Sequence, residues 1–145
     1  MKLRRLLPPA LVAVAASVLL SACGSETVNV PGASASVAQG AQLFAERCAG
    51  CHTLKAAGTQ GSATMVSDRE RTDGPNFDVR RVCYDSAIYA LRNGGYSGAI
   101  MPANIVVGKE AEDVARFVAE YSGRKAEEPK SPSGPTVKCQ PPPAG

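Results

Sequence analysis

Three stretches of this chain repeat apolar positions at helical spacing, and polar, glycine-rich runs separate them. Val37, Ala41, Phe44 and Cys48 recur at intervals of four or three, which places them on one stripe of a helix over Ser36–Cys48 with Ser36 as its N-cap. Asp85 to Asn93 predicts a second helix, with Ile88, Leu91 and Tyr84 facing inward and Gly94-Gly95 ending it. Gly108 to Tyr121 predicts a third: Val114, Phe117, Val118 and Tyr121 form its stripe, acidic residues lie early as the helix dipole prefers, and Gly123 is a natural stop. Gly40 falls inside the first helix, where glycine costs up to about 1 kcal/mol against alanine. A close backbone crossing by the last helix explains it, with Phe44 packing on Phe117 or Tyr121. The pattern is that of one all-α domain over residues 36–122.

The stretches between are less regular. Residues 53–73 are polar, glycine-rich and long, and predict a surface loop in which Arg69, Glu70 and Arg71 are solvated. Tyr96 to Pro102 predicts a second loop. At the N-terminus, Lys2, Arg4 and Arg5 precede an apolar run from Leu6 to Leu20. That is a signal peptide over residues 1–22, too short for a permanent spanning helix. Residues 23–35, mostly small and polar, predict a flexible tether, roughly 20 Å long on average as a random coil. From residue 123 to 145 the chain turns proline-rich and reads as a tail.

The chemistry is concentrated in Cys48-Ala49-Gly50-Cys51-His52. Two cysteines two residues apart, followed at once by histidine, is the attachment pattern of c-type haem. Each thiol adds across one vinyl group of the porphyrin, and the spacing lets both sulfurs reach one edge of the ring. The histidine is then carried beneath the iron, where an imidazole nitrogen can bind it. A redox dithiol would require a strand before the motif and a β/α sheet around it, and the pattern shows neither. A zinc site needs two further ligands, and His52 is the only histidine. Aromatic residues make up 5% of the chain and Trp is absent, so a large buried cofactor would supply the missing apolar volume.

Taken together, Gly40, Phe44, the motif at 48–52, Gly74-Pro75-Asn76, Met101-Pro102 and a terminal amphipathic helix with aromatics resemble a class I cytochrome c. The resemblance implies an all-α fold of three to four helices around one covalent haem c, with Cys48 and Cys51 as thioethers and His52 as proximal ligand. It further implies that the Pro75 carbonyl accepts a hydrogen bond from the other imidazole nitrogen and fixes the tautomer. Met101 is the expected sixth ligand, a soft, neutral thioether that raises the potential relative to a second histidine. Met65 is its competitor, but it follows His52 by only 13 residues, inside the loop expected on the proximal side. The ending Leu20-Ser21-Ala22-Cys23 resembles the lipobox of bacterial lipoproteins, which implies that Cys23 bears a lipid.

Of five cysteines, Cys23 goes to lipid and Cys48 and Cys51 to haem. The remaining Cys83 and Cys139, in an exported protein, most simply form a disulfide. The chain carries 16 Lys+Arg and 13 Asp+Glu, and removing the three basic residues of the signal peptide leaves 13 of each. A neutral mature protein offers no basic face for nucleic acid. The expectation is therefore a monomeric, membrane-tethered electron carrier and not an enzyme. It would lie at the outer face of the cytoplasmic membrane or face the periplasm. The resemblance implies a quinol–cytochrome c reductase, a terminal oxidase or an exported dehydrogenase as partner. The alternatives are a haem-bearing electron-transfer subunit of an exported dehydrogenase or oxidase complex, and a sensor with an open sixth position, against which Met101 argues.

Overall fold

The computed structural model describes residues 27–96, 100–124, 139–140 and 143. The expected signal peptide, Cys23 and most of the 123–145 tail lie outside the described residues. Among the described residues, three α-helices carry the fold: α1 (Ala35–Arg47), α2 (Tyr84–Asn93) and α3 (Gly108–Tyr121). Strand structure among the described residues amounts to two residues in each of β1 (Thr53–Leu54) and β2 (Thr59–Gln60), paired antiparallel, with Leu54 opposite Thr59. The architecture is all-α, as the helical periodicity predicts.

The helices form where the apolar periodicity places them, with small shifts at their ends. Helix α1 begins a residue earlier than the pattern predicts, and its N-cap is Ser34, whose Oγ accepts from the Val37 amide at 3.3 Å. Ser36, the expected cap, sits inside the helix and turns its hydroxyl to the Asp113 carboxylate of α3. Helix α2 likewise starts one residue early, with Cys83 as its N-cap residue.

Helices α1 and α3 cross at Gly40. A Cβ built there would lie 2.0 Å from the Asp113 carbonyl oxygen and 3.0 Å from Phe117 Cβ, so the two backbones meet where only hydrogen fits. One turn further on, Phe44 and Phe117 pack edge to face with centroids 5.7 Å apart. Both are fully buried, each contributing about 2–3 kcal/mol through removal from water. The crossing is also stitched by polar groups. Asp113 is 3% exposed, accepts from Lys109 Nζ at 2.7 Å on both oxygens, and takes the Ser36 hydroxyl.

Two expectations need correction. Residues 28–34 are not a free tether: Val28, Val30 and Ala33 pack against the core, and the Asn29 amide donates to the Ala56 carbonyl at 2.8 Å. A turn that closes through the Ala33 amide onto Val30 O, with Gly32 at φ +73°, then leads directly into α1. Nor is the start of the 53–73 stretch a surface loop. A 3-10 turn at Lys55–Ala57, with Gly58 at φ +66°, joins β1 to β2 and buries Leu54, Ala57 and Thr59. Residues 67–72, including Arg69, Glu70 and Arg71, are exposed.

Cys83 and Cys139 are joined by a disulfide, their Cα atoms 5.1 Å apart. It closes a loop 56 residues long, which corresponds to about 4 kcal/mol in the chain-entropy model. Near it, Arg116 of α3 donates to the Pro143 carbonyl at 2.6 Å and lies over the Tyr84 ring. Cys139 is thus tied to the start of α2, and Pro143 to α3 beside it.

Candidate functional site

Helix α1 delivers the first thiol. Cys48 is its C-cap, still helical, with its amide on the Phe44 carbonyl at 2.9 Å. The chain then turns tightly: the amides of Cys51 and His52 both donate to the Cys48 carbonyl, at 3.2 and 3.0 Å. This turn brings two thiols and one imidazole together within five residues. Two segments brace it from outside. The Gly61 amide donates to His52 O at 3.2 Å, and the Gly74 amide donates to Cys51 O at 2.7 Å. Ser62 and Thr53 exchange amide-to-hydroxyl bonds at 2.9 Å in both directions.

Both bracing glycines are required by space. A Cβ at Gly61 would lie 2.2 Å from the Ala49 carbonyl oxygen, and one at Gly74 would lie 2.4 Å from His52 Cε1. Gly74 therefore leaves room for the imidazole, and Pro75 follows with its carbonyl 3.1 Å from His52 Nδ1. Because a carbonyl only accepts, Nδ1 carries the hydrogen. Nε2 is then the nitrogen with the lone pair. Burial lowers the His52 pKa from its ordinary value, and the Pro75 bond opposes this only in part. The ring is therefore neutral at pH 7, the form that binds metal.

Cys48 and Cys51 are not joined to each other. Burial, with the neighbouring Cys51, pushes the Cys48 thiol up to about 11. A thiol exchange catalyst needs the opposite shift, toward thiolate at neutral pH. The donor set thus fits covalent attachment of a porphyrin and not dithiol redox chemistry. Two unpaired thiols stand at i and i+3, an imidazole with one committed nitrogen follows at once, and a glycine clears the space beside the ring.

Met101 is half-buried and packs against the core, whereas Met65 is 60% exposed. Gly94, at φ +70°, ends α2 and lets the returning chain approach: a Cβ there would lie 2.7 Å from the Met101 carbonyl. The Asn104 amide closes this return on the Leu91 carbonyl at 2.7 Å. Residues 97–99 of the expected Tyr96–Pro102 loop lie outside the described residues.

Several neighbours of the site escape the sequence reading. Phe77 stacks on His52, with centroids 4.7 Å apart and planes 9° from parallel. Phe44, assigned above only to the helix crossing, also reaches the imidazole, at 6.2 Å. Gly61 and Ser62 brace the turn, yet in the sequence they are indistinguishable from the other small polar residues around them. The one available signal for Phe77 is its position two residues after Pro75.

Residues 37–122, more than half of the chain, match the family model described as Cytochrome c. The chain belongs to the cytochrome c family: it is an electron-transfer haem protein whose prosthetic group is covalently bound haem c. Among solved structures, the c-type cytochrome SorU from Sinorhizobium meliloti is similar at 33% identity. The alignment covers 61% of this chain and 92% of that one, with a TM-score of 0.48. No curated protein matches the chain significantly.

Proposed function

We propose that the chain is a membrane-tethered monohaem carrier that passes single electrons between exported or membrane-bound redox proteins of a respiratory chain. In this reading Cys48 and Cys51 form the thioethers, His52 and Met101 are the axial ligands, and Cys23 carries the lipid. The observation that carries it is the state of His52: half-buried, neutral, its Nδ1 committed to the Pro75 carbonyl and Nε2 left to bind iron. Haem held there supplies one-electron chemistry as its iron moves between ferrous and ferric states.

The residues divide the remaining work. Pro75 fixes the tautomer of the imidazole and raises its basicity as a ligand. The partial burial of Met101 against the core supports it over the exposed Met65 as the second ligand. With two protein ligands, no position is left for a substrate, which suits a carrier. The neutral charge balance of residues 23–145 favours weak, transient docking through apolar contact over charge steering. The lipid compensates by raising the local concentration near membrane partners. A quinol–cytochrome c reductase, a terminal oxidase or an exported dehydrogenase fits the partner role. The Leu20-Ser21-Ala22-Cys23 ending assigns the anchor to Cys23, on the outer face of the cytoplasmic membrane or facing the periplasm.

The test of the tether is Cys23→Ser in the full, exported chain. The variant is expected to move from the membrane fraction to the soluble fraction with an unchanged haem spectrum. Continued tight membrane binding would contradict the lipid assignment.

A further inference from the structure

The Pro75 carbonyl alone does not fix the plane of the His52 ring. Hydrogen bonds to a carbonyl tolerate a broad range of approach directions, so the imidazole can still pivot about its Cβ–Cγ bond while keeping that contact. A second contact restrains the pivot. The Phe77 ring lies against the imidazole face at 4.7 Å, within 9° of parallel, and turning the imidazole drives its edge into that wall. Phe77 itself is held by its backbone and by a second ring. Its amide donates to the Thr53 carbonyl at 2.8 Å, next to His52, and its carbonyl accepts from the Gly123 amide at 2.8 Å. Its ring meets Phe44 at 6.0 Å.

Gly123 sits at φ +71° with no room for a Cβ, which would lie 2.8 Å from Arg81 Cβ. Beside it, the fully buried Ser122 accepts from the Val82 amide at 2.9 Å and donates back to the Val82 carbonyl. The end of α3 thus clamps the segment that carries Phe77. This bracing exceeds what filling a gap requires, because an aliphatic side chain of similar volume packs a core equally well but presents no flat face.

We propose that Phe77 is a positioning residue that sets the plane of the His52 imidazole, and through it the orientation of the axial ligand. The inference rests on the reading of His52 as an iron ligand. The ring plane decides which iron orbitals the imidazole π system meets. Its signature is therefore magnetic: the g values of the ferric protein and the order of the haem methyl proton shifts.

The test compares Phe77→Leu with Phe77→Tyr in the full, exported holoprotein. Phe77→Leu is expected to keep covalent haem while shifting the largest g value and reordering the methyl shifts. Phe77→Tyr, which keeps the flat face, is expected to return both to those of the unmodified protein. A purely structural role would lower the stability of Phe77→Leu and leave the magnetic signature in place. An unchanged signature in Phe77→Leu, or an equal change in both variants, overturns the proposal. Should Phe77→Leu fail to accumulate, the reduced unmodified protein decides: a nuclear Overhauser effect between the His52 and Phe77 rings supports the stack, and its absence overturns it. Failure of the underlying reading looks different, since the unmodified protein would then lack a low-spin histidine-ligated haem spectrum altogether.

Discussion

A histidine becomes a directed ligand when its neighbours decide which nitrogen is free. At His52 the deciding neighbour is a proline carbonyl 23 residues away, and the proline is apt because its nitrogen has no hydrogen to compete. The motif and the Gly74-Pro75 pair were legible because their chemistry depends on spacing along the chain. Phe77 and the Ser36–Asp113 contact were not, since a contact across 77 residues leaves no local pattern. At this scale the ligand assignment predicts that Met101→Ala abolishes the far-red methionine–iron absorption of the ferric protein and lowers its potential, while Met65→Ala changes neither. The reverse outcome in the two spectra would reassign the sixth ligand to Met65.

Asp113 gives a prediction in pH. Burial alone would raise its pKa, but the Lys109 and Ser36 hydrogen bonds and the charges of Lys109 and Arg116 outweigh it, leaving the carboxyl below its ordinary value. A carboxyl that is more acidic folded than unfolded stabilises the fold above the unfolded value, about pH 4. That contribution fades as pH falls through the lower, folded value. Asp113→Asn should therefore be less stable than the unmodified protein at pH 7, with the difference shrinking below about pH 4. Acid titrations followed by circular dichroism at several denaturant concentrations would show it. Curves that stay parallel down to low pH would contradict the assignment.

At the scale of elements, the three helices followed from apolar periodicity, since each buries one stripe against the others. Gly40 stood out for its helix cost, and the crossing gives the reason: Asp113 O occupies the place of its Cβ. Gly40→Ala is expected to destabilise the holoprotein by about 3 kcal/mol in denaturant unfolding. A loss under about 0.5 kcal/mol would mean that the helices separate at little cost and that the crossing is not tight. The hairpin at 53–60 was hidden because only Leu54 and Ala57 are apolar and buried within it, too few to establish a period. The packing of Val28 and Val30 was hidden for the same reason. Two valines among small polar residues read as linker until Ala56 offers a carbonyl to Asn29.

For the whole molecule, the fold serves to hold one five-residue turn in place. Helix α1 ends in it, the hairpin and Gly74 brace it, and the end of α3 clamps the segment behind His52. Cysteine arithmetic reached both ends of the disulfide because an exported chain seldom leaves two thiols idle; the place where the tail settles, at Arg116 and Tyr84, required the structure. The account depends most on covalent haem at Cys48 and Cys51, and alkaline pyridine with dithionite tests that directly on the denatured, exported protein. The predicted result is a c-type haemochrome spectrum at one haem per chain that stays with the polypeptide through acid–acetone extraction. Haem that extracts into the organic phase, or a colourless protein, would contradict it.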